Sequence, residues 1–255
     1  MNAEKDKLLK STLFPLLFLL LIWAVFFFNQ KYNLQLLQYG LKPQQMQGLW
    51  GILTMPLLHA DMAHIVSNSV PILILGTCLF YFYREIAFKV FSFSYIFTGI
   101  LVWLFVFAKN ENHIGASGLV YALSGFLVTS GIIRKNKALF GISLLIIFLY
   151  GTIIWGVLPT PFQKAIHFID DTANVSWQGH LFGFVVGVSL AFIFKKTGEQ
   201  KPVYSWEINN DTDIDESNPY WLENENTTPE NNNHNIEENP IKINYTYVPK
   251  KEEGE

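Results

Sequence analysis

The sequence predicts an all-α membrane protein, a bundle of six transmembrane helices with an embedded first outer loop. Three observations carry that reading. Hydrophobic residues make up 50% of the 255-residue chain and charged residues only 15%. The charges crowd into a few places and leave apolar intervals of roughly membrane length between them. Lysines and arginines then collect on alternate connections, which orients the bundle.

The first apolar run, residues 13–28, follows a charged N-terminal segment of residues 1–12 that contains Glu4, Lys5, Asp6 and Lys7. It is followed by Asn29-Gln30-Lys31-Tyr32 rather than by a small-residue cleavage site, so it reads as a retained helix and not a removed signal peptide. The connection over residues 29–64 is long and moderately apolar, which suits an outer loop sunk into the bilayer. Further runs fall at residues 65–83, 88–108, 118–133, 138–158 and 176–194. Several are short and rich in Gly and Ser, so the helices of the bundle are unequal. The one cysteine, Cys78, lies in an apolar run and can form no disulfide within the chain.

Six spans put both termini on one side. Lys5, Lys7, Lys10, Arg84, Lys89, Arg134, Lys135, Lys137, Lys195 and Lys196 share that side, against Lys31, Lys42, Lys109 and Lys164 on the other. The positive-inside rule makes the termini cytoplasmic.

After residue 196 the composition changes. Residues 197–255 hold 14 of the 21 acidic residues, much Asn, and prolines at 202, 219, 229, 240 and 249. Such a tail cannot bury a core and is expected to be disordered and cytoplasmic. The formal charge of −3 conceals a split, since residues 1–196 carry 14 basic and 7 acidic groups, +7, and the tail 4 and 14, −10. Net charge is therefore no guide to a substrate. Tyr220-Trp221-Leu222 and Tyr245-Thr246-Tyr247-Val248 read as solvated tail residues sooner than as docking motifs, and any tail partner is undefined.

With this orientation the second, fourth and sixth spans all start at the outer leaflet. His64 and Asn68 begin the second, Ser117 the fourth, and His180 lies in the opening turns of the sixth. Ionisable and polar groups at bilayer depth are costly and tend to mark function. Ser117 starts a helix whose first-turn N–H groups have no intrahelical partner and can face a developing oxyanion. Gly115 and Gly118 allow close approach of backbone to substrate. His180 is the candidate base for a serine that is a poor nucleophile alone. Asp170 and Asp171 sit in the preceding loop and no carboxylate lies in the apolar spans near His180, which favours a Ser–His dyad over a triad. The structural alternative makes Ser117 a helix N-cap and His180 an interhelical hydrogen-bond partner.

His64 and Asn68, spaced i,i+4, share a helix face and suit an oxyanion hole, the alternative being that Asn68 and Ser67 satisfy neighbouring helices. His59 is expected to pack against the outer loop. Tyr121, one turn after Ser117, stacks on the His180 ring or is an ordinary packed tyrosine. His180, Gly183 and Gly187 form one stripe and Gly118, Ala122 and Gly125 another, which lets the two reactive helices approach closely.

Together these segments resemble bacterial rhomboid intramembrane serine proteases. His59-Ala60-Asp61-Met62-Ala63-His64-Ile65-Val66-Ser67-Asn68 is similar to the family's H-x4-H-x3-N pattern, Gly115-Ala116-Ser117-Gly118 to its G-x-S-G motif, and His180 with Gly183 and Gly187 to its H-x2-G-x3-G pattern. The resemblance covers about residues 13–195. It implies a six-helix protease domain over residues 13–196 with a water-filled cavity open to the outer face, no cofactor and no metal. Ser117 is then nucleophile, and His180 general base and later acid. The Ser117 amide with His64 and Asn68 forms the oxyanion hole, and Tyr121 supports the His180 ring. The implied partners are transmembrane protein substrates and the lipid bilayer, with no nucleic acid, and the implied location is the bacterial inner membrane. Two departures stand out. Trp50-Gly51 replaces the family's first-loop Trp-Arg, and Gly179 precedes His180 where alanine is common. Two other classes compete: a rhomboid-like scaffold, disfavoured because serine and histidine are both retained, and a small-solute transporter, disfavoured because the polar groups gather toward one face.

Overall fold

The structure is a computed structural model, and it describes residues 2–107, 111–150, 156–159, 161–162 and 176–197. The acidic tail beyond Thr197, together with Asp170 and Asp171, lies outside the described residues. Helix α1 spans Asn2–Tyr32 and so begins well before the apolar run at residue 13. Apolarity marks what lipid requires, whereas the backbone helix extends into Ala, Glu, Lys and Leu, all good helix formers. Glu4 in its first turn and Lys31 in its last complement the helix dipole.

The connection from α1 to the next long helix is a series of short turns: 3₁₀ segments at Leu36–Tyr39 and Met46–Trp50, a single-turn helix α2 at Gly51–Thr54, and a 3₁₀ segment at Met55–Leu57. A Cβ on Gly51 would overlap the backbone of Leu41. Glycine at position 51 thus lets this connection fold tightly on itself.

Helix α3 (Met62–Phe82) starts at Asp61, whose carboxylate caps it by accepting the His64 N–H at 2.8 Å. Helices α4 (Ala87–Phe105), α5 (Ser117–Ile133), α6 (Lys137–Tyr150) and α7 (Trp177–Ile193) follow. Three helical stretches, Ala3–Tyr32, Met62–Phe82 and Ala87–Phe105, are long and apolar enough to cross a membrane; Ser117–Ile133, Lys137–Phe148 and Trp177–Ile193 are apolar but shorter. At 1.5 Å per residue a 17-residue helix spans about 26 Å, a little less than a hydrocarbon core of roughly 30 Å.

Helix α5 is the centre of the bundle. It is buried continuously from Gly118 to Leu127 and packs against α3, α4, α6 and α7. Its Leu119, Leu123 and Phe126 share one core with Ile65, Ile72 and Leu75 of α3, Val90 and Phe91 of α4, and Val186 and Leu190 of α7. The periphery is apolar as well: Leu9, Leu13, Leu17 and Leu20 of α1 are all exposed, the inverse of a water-facing surface. In lipid such helices gain little from burying apolar area, and close packing with a few polar links holds them together. Arg134, at the end of α5, is one such link. Its Nη2 donates to the carbonyls of Phe194 and Thr197, each at 2.7 Å, its Nε donates to Ser130 Oγ at 2.8 Å, and its guanidinium lies over the Tyr83 ring. The C-terminus of α7 is thereby capped by the helix it packs on.

Candidate active site

Ser117 is the first residue of α5, and its position is set by the short segment before it. Leu41 and His113 exchange two backbone hydrogen bonds at 2.9 and 2.8 Å, and Gly115 N–H donates to the Met55 carbonyl at 2.9 Å. The connection between α1 and α3 therefore holds the approach to α5 by its backbone. Gly115 has φ +103°, a conformation that L side chains rarely adopt, and the His64 ring occupies the space a Cβ would need. His59 lies beside this turn, its ring 5.0 Å from that of His64 and its Nε2 3.4 Å from the Ala116 N–H. Burial, with His64 alongside, lowers the His59 pKa to about 4, so its ring is neutral at pH 7 and can accept that N–H.

His180 lies in the first turn of α7 and is buried. Its Nε2 is 2.9 Å from Ser117 Oγ and its Nδ1 is 3.0 Å from the Gly156 carbonyl oxygen. A carbonyl only accepts, so Nδ1 carries the proton and Nε2 presents a lone pair to the serine hydroxyl. Tyr121, one turn below Ser117, stacks on the imidazole with ring centroids 4.1 Å apart and planes 10° from parallel. The ring is thus fixed by one face, one nitrogen and the backbone of its own helix.

Glycines permit this geometry. A Cβ at Gly183 would overlap the Gly118 carbonyl, and one at Gly187 would overlap the Ala122 carbonyl. A Cβ at Gly125 would come within 2.8 Å of the Phe184 carbonyl. Helices α5 and α7 therefore meet backbone to backbone directly beneath Ser117 and His180.

The described contacts bring Ser117, His180 and Tyr121 together, with Gly115, Gly118, Gly183 and Gly187 at close-packed backbone positions. His64 lies against Gly115. Asn68 is buried on the same helix, and its Nδ2 donates to the His64 carbonyl at 3.0 Å. Its i,i+4 spacing is realised as an intrahelical bond that engages one of the two amide protons. Two participants were not among the predicted site residues: Gly156, which orients the histidine, and Ser176, a serine opening an apolar run, which caps α7 by accepting the Gly179 N–H at 3.3 Å. A Cβ on Gly156 would overlap the Tyr121 hydroxyl, so a glycine before a Val-Leu-Pro stop was the one available hint. Among the described residues no group of three or more His, Cys, Asp or Glu side chains is placed to hold a metal ion.

An apolar helical bundle whose central helix offers a serine to a buried histidine defines a class of membrane protein. The chain belongs to the rhomboid family: residues 46–197 match the Rhomboid domain. It is 31% identical over 182 residues to an uncharacterized protein of Mycobacterium tuberculosis, covering 70% of this chain and 72% of that relative. An uncharacterized protein of Mycobacterium bovis matches to the same extent. One from Mycobacterium leprae is 31% identical over 183 residues, covering 70% of this chain and 69% of its own length.

Proposed function

We propose that this rhomboid-family protein is an intramembrane serine endopeptidase that cleaves transmembrane protein substrates in or near the bilayer with a Ser117–His180 dyad. The observation that carries this reading is the 2.9 Å contact between His180 Nε2 and Ser117 Oγ, with Nδ1 tied to Gly156. Ser117 Oγ attacks the scissile carbonyl carbon while Nε2 takes the hydroxyl proton. The imidazolium so formed keeps its Nδ1–H on the Gly156 carbonyl and its face on Tyr121, which favours a dyad without a carboxylate. The tetrahedral oxyanion is met by the Ser117 amide, one of the unpaired first-turn donors of α5, and by donors from His64 and from the free Nδ2 proton of Asn68. His180 then protonates the leaving amine as the carbon–nitrogen bond breaks, and the same base activates water to release the acyl group. A helical substrate must unwind first, because its carbonyls are already hydrogen-bonded.

In this reading residues 13–196 form the protease domain with six spans, the termini are cytoplasmic, and the bilayer is the bacterial inner membrane. The exposed apolar side chains of Met46, Trp50 and Leu53 support an outer loop embedded in lipid. A serine-directed fluorophosphonate should label wild-type protein and leave Ser117→Ala unlabelled. Labelling of both would move the nucleophile to another residue, and labelling of neither would leave a scaffold as the reading. Tags at Met1 and Glu255 should be inaccessible from outside intact cells, and exposure of either would overturn the six-span topology.

A further inference from the structure

The segment before the serine and the turn before the histidine helix are joined a second time, away from the reacting atoms. His113 is buried, and its Nδ1 lies 2.6 Å from Ser176 Oγ. Ser176 Oγ accepts the Gly179 N–H as the cap of α7, so its own proton is free to donate to His113 Nδ1. The other ring nitrogen, Nε2, is 3.4 Å from Glu111 Oε2. His113 stands four residues before Ser117, and Ser176 four residues before His180. The backbone of His113 is meanwhile pinned on both its N–H and its carbonyl to Leu41 in the connection between α1 and α3.

We propose that His113 is a positioning residue whose hydrogen bond to Ser176 sets the distance between the Ser117 segment and the first turn of the His180 helix. The inference rests on the serine protease reading above. The Ser117–His180 contact alone cannot fix two helix ends, since it must break and reform as the proton moves. The His113–Ser176 link joins the same two segments, is buried on the His113 side, and takes no part in proton transfer. It therefore holds the geometry through each step. A misplacement of about 1 Å between reacting groups costs roughly 10²-fold in rate, so a lost strap appears in the chemical step.

The test is the rate of fluorophosphonate labelling of the full-length protein in detergent, together with kcat and KM on a transmembrane substrate. His113→Phe keeps an aromatic ring and removes the acceptor; it should slow labelling and kcat by about 10- to 100-fold with KM nearly unchanged. His113→Asn puts an acceptor close to the position of Nδ1 and should recover most of the loss, which a purely space-filling role would not allow. Should His113→Phe fail to insert, Ser176→Ala and Ser176→Thr serve instead: the first should be slow and the second near wild type. Reactive wild type with equal rates for the Phe and Asn variants, or for the Ala and Thr variants, overturns the strap alone. Wild type that does not react overturns the protease reading and the strap with it.

Discussion

Ser117→Ala and His180→Ala are each expected to abolish cleavage of a transmembrane substrate while leaving the protein folded and inserted. In the proposed mechanism Ser117 Oγ is the attacking atom, and with Nδ1 committed to the Gly156 carbonyl, Nε2 of His180 is the nitrogen within reach of its hydroxyl. Removing either member of such a pair from a serine protease costs on the order of 10⁶ in kcat, and removing both costs little more because they act as a unit. The double variant should therefore match the singles. Asn68→Ala should lose less, at most about 10²- to 10³-fold, since the Ser117 amide and His64 remain and half of the Asn68 amide is occupied by the His64 carbonyl. Measurement of kcat in bilayers or detergent decides it. Substantial turnover by Ser117→Ala would show that another group attacks, and additive losses in the double variant would mean that the two residues act independently.

Gly187→Leu is expected to destroy both activity and stability. A Cβ at this position would overlap the Ala122 carbonyl, and the nearest atoms are backbone, which no rotamer change can move aside. The helices must separate, and separation of α5 from α7 opens the Ser117–His180 contact above it. Overpacking by even one methylene costs about 1–3 kcal/mol, so Gly187→Ala should already lower the thermal midpoint and Leu should prevent assembly. Gly183 should respond in the same way against the Gly118 carbonyl. The control is Gly141→Ala in α6, where nothing lies within 4 Å of the added Cβ; it should be neutral or slightly stabilising, because Ala is favoured over Gly by roughly 1 kcal/mol in a helix. Equal thermal midpoints for the Gly187 and Gly141 variants would refute the packing argument.

Much of the bundle was legible because lipid imposes one-dimensional rules. An apolar run must be long, its charges must lie at its ends, and the runs at residues 65–83, 88–108, 118–133 and 176–194 fall within a few residues of helices α3, α4, α5 and α7. The helix over Asn2–Tyr32 was foreseen only in its apolar middle, since hydropathy carries no information on where helical hydrogen bonding begins. The contact between Ser117 and His180 has local counterparts in the sequence: a serine flanked by Gly115 and Gly118, and a histidine with glycines at i+3 and i+7. The sequence by itself determined an apolar, helical, Ser- and His-bearing membrane chain of the rhomboid family, because composition, periodicity and short motifs are set by nearest neighbours and by the solvent. Only the tertiary structure decided which groups orient them. The Gly156 carbonyl on His180, the His113–Ser176 link, the seating of Gly51 on Leu41 and the turning of Asn68 back onto His64 are contacts of particular atoms. Such contacts depend on helix rotation and depth to within an ångström, and neither residue type nor spacing encodes that.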